Sequence, residues 1–343
     1  MSDRSSLPKR VTLKHVAEEA GVSIQTASHV LSGNMKVRLP DSTRARVKEA
    51  ALKVGYQPNR HAQAMRSGKT HVISVWMPID RLNLSYLQFL QQISRRALAS
   101  GYELMIAGLD RNTALLPDGP SPTNWPVDGV ISIDAGKAVQ AYRKSPGNDH
   151  VPVVVLGFEL ESNGDAVGWN LYESYKLLTQ KMIAEGRERI VHVTLDWVLA
   201  DFPREQRRRG YTEAMEEAGL KPRFVAVSDE TTSAAHSAVT DFLVRFPETD
   251  GLACMTDTLA VGAGRAALEL NRKIPEELVL WGLGNYPVGQ EFMVPVTTLE
   301  IPFAAVVDRA WTWLIERIES PGLEPRETVY PMNIIERAST GNK

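Results

Sequence analysis

VTLKHVAEEAGVSIQTASHVLSG, residues 11–33, reads as two short helices joined at a glycine. Leu13, Val16, Ala17 and Ala20 recur at i, i+3, i+4 and i+7, which makes one apolar helix face. Thr12 precedes that face as an N-cap, Gly21 permits a tight turn, and Ser23 can cap the second helix. In the second helix Ala27, Val30 and Leu31 share a face that packs back on the first. Gln25, Thr26 and His29 lie opposite, where they can hydrogen-bond to base edges or phosphates, and Ile24 beside them can touch a thymine methyl. After Gly33-Asn34, Asp41 or Ser42 caps a third helix with Val47, Ala50 and Val54 inward and Gly55 at its end. Three short helices with a glycine turn between the first two describe a helix-turn-helix domain.

Charge supports a separate polyanion-binding head. The net charge of the 343 residues is only −2, but residues 1–70 hold thirteen Lys/Arg against five Asp/Glu. The remainder holds twenty-six against thirty-six. A basic module on an acidic body fits a nucleic-acid partner, and the bland alternative is a basic tail. The single cysteine, Cys254, rules out a disulfide framework and fits a reducing compartment. No apolar run reaches the roughly 18 residues of a membrane span, and MSDRSSLPKR lacks a signal-peptide core. The expectation is a cytoplasmic chain with no membrane partner.

The segment at 11–33, with RARVKEAALKVGYQPNRHAQAMRSGKT at 44–70, resembles the LacI family of bacterial transcription regulators almost position for position. The resemblance implies a repressor whose helix from Ser23 enters the major groove, with Ile24, Gln25 and His29 facing bases. Thr12, Ser23, Thr26, Ser28 and Asn34 would complete the contacts of this domain, taken as residues 1–57. The family's usual arginine is replaced by His29, which implies an altered operator; the alternative is a plain surface histidine. Residues 58–69 match the family's hinge, which folds when two subunits meet on DNA. There Met65 stands for the usual leucine wedge of the minor groove, and Gln63 for a usual arginine. Asn59, Arg60 and Arg66 would meet the backbone. Off DNA this segment reads as a basic linker, too short for a stable isolated helix.

From about residue 70 to 343 apolar strands alternate with helical stretches: HVISVWMP, LSYLQFLQQISRRALASG, YELMIAGL, VDGVISID, VPVVVLGF, then IVHVTLD, EQRRRGYTEAMEEAGL, FVAVSD, GLACMTD, TLAVGAGRAALELN and LVLWGLGN. That alternation implies parallel, doubly wound α/β sheets in two lobes, with ligand at the strand carboxyl ends. Lobe 1 is expected at about 70–167 and 298–327, lobe 2 at about 168–297 and 328–343. VDGVI at 127–131, RRRGY at 207–211, TDGLACMTDTLAVGA at 249–263, VTTLEIP at 296–302 and ERAST at 336–340 resemble the family's periplasmic-binding-protein-like effector body. Carried over residue by residue, Arg207 and Asp257 would bind effector, expected to be a carbohydrate. The alternatives are a solvated charge in an Arg-rich run for Arg207 and a helix N-cap for Asp257.

The resemblance weakens at other effector positions, and the alternatives to an ordinary sugar are a less usual sugar, a more apolar ligand or a pocket that no longer responds. Thr256 stands for an asparagine, Trp169-Asn170 for an aspartate-asparagine pair, and Gly284 for an aspartate. Residues 110–126, with four prolines, look too irregular for the family's second helix. Trp169 or Trp281 could stack on a sugar face, although tryptophans at strand ends, Trp76 and Trp197 included, more often fill cores. No P-loop, HExxH or GxSxG motif occurs and the histidines are scattered, so no enzyme, cofactor or metal is expected. A solute-binding protein shares the body architecture, but the basic head argues against it. The terminal ERASTGNK carries no leucine heptads, which favours a homodimer over a zipper-held tetramer.

Overall fold

A computed structural model describes residues 11–31, 37–56, 68–79, 83–109, 126–144, 151–157, 164–202 and 204–341. The chain divides between Thr70 and His71 into two compact units.

The small unit contains α1 (Leu13–Ala20), α2 (Ile24–Leu31) and α3 (Asp41–Lys53). Its core is Val16, Ala17 and Ala20 of α1, Ala27 and Val30 of α2, and Val47, Ala50 and Ala51 of α3. Each helix is too short to be stable alone, so this shared apolar face holds all three. Gly21 closes α1 at φ 61°, a left-handed conformation that glycine adopts without the steric penalty of a side chain. Arg44 on α3 donates to the Val37 carbonyl at 2.9 Å, which fixes the entry to α3.

The large unit runs β1 (Val72–Pro78), α4 (Leu84–Ala99), β2 (Glu103–Leu109), β3 (Gly129–Ile133), α5 (Gly136–Lys144), β4 (Val153–Gly157) and β5 (Ala166–Trp169). It continues through α6 (Leu171–Ala184), β6 (Ile190–Leu195), α7 (Asp196–Asp201), α8 (Gln206–Glu217), β7 (Phe224–Val227), α9 (Thr232–Arg245) and β8 (Gly251–Cys254). Then come α10 (Asp257–Glu269), β9 (Val279–Leu283), α11 (Pro287–Gln290), β10 (Thr297–Glu300), α12 (Phe303–Glu319), β11 (Glu327–Tyr330), β12 (Asn333–Ile335) and a 3-10 turn at Ala338–Thr340.

These strands build two six-stranded sheets with one repeated plan. The first is ordered β11-β5-β4-β3-β1-β2 and is parallel throughout. The second is ordered β12-β10-β9-β8-β6-β7, with only β12 antiparallel. Both faces of the inner strands are covered, so β3, β4, β6, β8 and β9 are buried at every residue. That burial is why they read as continuous apolar runs rather than as alternating ones.

The chain crosses between sheets three times, after Trp169, after Glu300 and after Tyr330. Each crossing falls slightly later than the sequence placed it. Trp169 ends a strand of the first sheet, residues 298–300 belong to the second, and 328–330 to the first. The misplaced residues lie in strands of only four residues each, too short for a clear periodicity. The Asn170 amide donates to the Tyr330 carbonyl at 3.0 Å, which ties two of the crossings together. The proline-rich stretch at 110–125 lies outside the described residues, and so does Asp80–Leu82.

Candidate functional site

In the head, α2 turns one face to the core and offers the other. Ser23 caps it, accepting from the Thr26 amide at 3.0 Å, and the two hydroxyls meet at 2.9 Å. Ile24 is 51% exposed and Gln25 is exposed, whereas Ala27 and Val30 are buried. The Ile24 side chain can touch a thymine methyl, and the exposed amide beside it can pair bidentately with adenine. Thr26, Ser28 and His29 are half-buried on the flank of this face. Thr12 spends its polar groups locally: its amide donates to His15 Nδ1 at 3.0 Å, and its hydroxyl lies 2.9 Å from that nitrogen. Asn34, Asn59, Arg60, Gln63, Met65 and Arg66 lie outside the described residues.

In the body, Arg207 is not a solvated charge. It is 8% exposed, and its Nε donates at 2.6 Å to Oε1 of Glu205, which is 4% exposed. Glu205 also caps α8, its Oε2 accepting from the Arg208 amide at 2.9 Å. Burial works against both charges, but each holds the other ionised. Arg207 stays above its ordinary pKa and Glu205 below its own. Arg207 also faces the carboxyl of Glu230, past the end of β7. Burial, foremost, raises the Glu230 pKa; Arg207 and hydrogen bonds from Thr256 and Asn83 partly offset it.

Asn83 belongs to the other lobe, where it caps α4 by accepting from the Tyr86 amide at 3.3 Å. On the same first turn, the Ser85 hydroxyl makes a short hydrogen bond with the Tyr286 hydroxyl. Tyr86 itself donates to Asp134, at the end of β3, at 3.3 Å. Polar groups of both lobes therefore meet across the cleft: Asn83 and Ser85 from one, and Arg207, Glu230 and Tyr286 from the other. Of these the sequence reading had only Arg207. Glu230 was visible as an acid beyond a strand carboxyl end, but Asn83, Ser85 and Tyr286 carry no local sign of their meeting.

Asp257 and Thr256 serve the frame of the site. Asp257 is fully buried, with Oδ1 taken by the Thr298 hydroxyl and Oδ2 by the Tyr286 amide, both at 2.6 Å. It thus locks the loop after β9 to β10 and holds Tyr286 toward the cleft. Burial raises its pKa to about 6, against the pull of those two hydrogen bonds. The N-cap of α10 is Thr256, whose hydroxyl accepts from the Leu259 amide at 3.4 Å, so Asp257 does not fill the capping role weighed for it. Gly284 has φ 120°, and a Cβ there would stand 2.3 Å from the Tyr286 ring. This loop has no room for the aspartate that the family resemblance places at that position.

The tryptophans are core. Trp281 is 0% exposed within the hydrophobic cluster it shares with Tyr175, Leu178 and Met182, and Lys181 Nζ lies 5.9 Å from its ring. Trp169 is 4% exposed and packs on Phe89 with centroids 5.2 Å apart. Both rings are packed within this cluster. Asn170 caps α6, accepting from the Glu173 amide at 3.1 Å. Among the described residues no helix is long and apolar enough to cross a membrane, and no group of three or more His, Cys, Asp or Glu could hold a metal.

A helix-turn-helix head joined to a two-lobed, ligand-cleft body defines a class: the effector-type bacterial transcription regulators. Comparison with known proteins places the chain within it. Residues 12–59 match the model for bacterial regulatory proteins, lacI family, and residues 179–340 match the periplasmic binding protein-like domain. The chain thus carries a head of the lacI type and a periplasmic-binding-protein-like body. It is 25% identical over 321 residues to the HTH-type transcriptional regulator GntR of Escherichia coli (strain K12), covering 93% of this chain and 95% of that one. It is 29% identical over 285 residues to catabolite control protein A of Priestia megaterium, covering 80% and 82%. Among solved structures, the lac repressor dimer bound to operator and the anti-inducer ONPF superposes with TM-score 0.81 at 20% identity, covering 97% of this chain and 99% of that one. That likeness establishes the fold.

Proposed function

We propose that this chain is a homodimeric transcriptional repressor that binds a near-palindromic operator and is tuned by a small molecule in the interlobe cleft. The observation that carries the reading is the bare face of α2: Ile24 and Gln25 stand in solvent on a helix whose other face is closed in the core. The lac repressor relative is described as a dimer on operator with an anti-inducer, which supports the same assembly here. Dimerisation also has a physical candidate. Leu87 and Leu98 on α4 are 55% and 82% exposed, and Ile106 on the edge strand β2 is 56% exposed, an apolar set that a second copy would cover.

The hinge at 58–69, with Met65 as wedge and Arg60 and Arg66 on phosphates, would couple lobe orientation to DNA affinity, and that coupling is reciprocal. A polar, hydroxyl-complementary cleft supports a carbohydrate effector, and Arg207 is its central contact. Related regulators are not enzymes, and we assign this chain no catalysis or cofactor, with the cytoplasm as its compartment. In vitro selection from random DNA, followed by gel-shift titration, tests the core claim. We expect near-palindromic sites and an affinity that falls on the order of 10³-fold or more between 50 and 200 mM salt. No selected sequence, with no shift at low salt, would refute it.

A further inference from the structure

We propose that the cleft takes a ligand that donates hydrogen bonds, a neutral polyol or an amine-bearing sugar, and discriminates against carboxylates and phosphates. This rests on the reading of the cleft as an effector site and goes further by assigning the ligand's charge. The cleft is rich in acceptors. Glu230 is held by donors from both lobes, the Asn83 amide from lobe 1 and the Thr256 hydroxyl from lobe 2. The cation facing Glu230 is Arg207, and its Nε is committed to the buried carboxylate of Glu205 at 2.6 Å. Glu205 and Glu230 thus share one guanidinium.

A ligand entering between α4 and the β7–α9 loop parts Asn83 from Glu230, and Ser85 from Tyr286. A sheltered carboxylate that loses a donor must find another or carry the desolvation cost. A ligand hydroxyl or ammonium supplies that donor. A ligand carboxylate or phosphate supplies none, and it places like charge beside Glu230 in a site whose guanidinium is already paired.

The test uses the full chain and two skeletons that differ in charge: glucosamine, glucose, gluconate and glucose 6-phosphate, then adenosine and AMP. Affinities come from calorimetric titration and thermal shift at pH 7. Within whichever skeleton binds, the neutral or amine member should bind at least about tenfold tighter than the anionic member. Glu230→Gln, whose amide can also donate, should shrink that ratio by roughly tenfold. Asn83→Ser removes a competing donor while keeping a capping side chain, and it should tighten the neutral or amine ligand. An anionic member that binds equally or more tightly, or a ratio unchanged in Glu230→Gln, overturns the charge assignment but leaves the effector reading standing. No binding by any of the six counts against the effector reading itself, provided DNA binding is intact.

Discussion

Arg207 and Glu205 form a buried ion pair at the start of α8, with Nε and Oε1 2.6 Å apart and neither side chain more than 10% exposed. The pair turns what reads as an Arg-rich surface run into a fixed guanidinium facing the cleft. Removing one partner strands a buried charge, which costs about 3–5 kcal/mol, whereas replacing both is far milder. Arg207→Met and Glu205→Gln should each lower urea-unfolding stability strongly, and the double variant by clearly less than the sum. Strict additivity would show that the pair has no energetic coupling.

His192 and Asp257 should set opposite pH slopes. His192 is fully buried with its Nδ1 2.8 Å from the Ala253 carbonyl, and burial lowers its pKa from 6.5 to about 4. The unfolded chain therefore binds more protons, and this histidine's contribution, intact above 6.5, is lost as pH falls through that window. Asp257 is raised from 3.8 to about 6, so its contribution is intact below 3.8 and lost as pH rises through 6. Between pH 4 and 6 the two nearly cancel. Asp257→Asn should make acid loss steeper by up to about 1.4 kcal/mol per pH unit, and His192→Gln should make it shallower by a similar amount. Urea titrations at pH 7, 6, 5 and 4 measure both; unchanged slopes would refute the assignments.

Gly284 shows why part of the site was not legible in sequence. The resemblance marks it as a lost aspartate, yet the finding is geometric: φ is 120° and a Cβ meets the Tyr286 ring. Gly284→Asp should therefore cost about 1–3 kcal/mol in stability instead of restoring a ligand contact. Differential scanning calorimetry would show it, and an unchanged Tm would refute it.

The sheets were legible because doubly buried parallel strands print themselves as apolar runs such as VVVLG and VLWGL. The head was legible because the caps at Thr12 and Ser23, the Gly21 turn and the 3.6-residue periodicity agree; the third helix differs, starting after Pro40 rather than being capped by Asp41 or Ser42. Arg207 could be placed from RRRGY, but its role depends on Glu205 and Glu230, whose meeting is decided by how α8, β7 and β8 stack. Asn83 with Glu230 and Ser85 with Tyr286 are long-range pairs across the lobes, which no local pattern encodes. Trp281 misleads for a related reason: it reads as lying near a strand end but sits mid-strand in β9 with its ring in the core.

Gln25 and the positive charges of the head should separate cleanly in salt titrations. An amide that reads a base edge contributes about 1–3 kcal/mol of discrimination and releases no counterion. Gln25→Ala should weaken operator binding by roughly 5- to 100-fold, flatten selectivity at one base pair in each half-site, and leave the slope of log affinity against log salt unchanged. His29→Arg adds a guanidinium beside it and should shift preference toward guanine at its own position. Selections on wild-type and variant chains, with gel-shift titrations at several salt concentrations, check both. If Gln25→Ala weakens binding to all DNA equally and leaves every base preference unchanged, then Gln25 meets the backbone rather than bases.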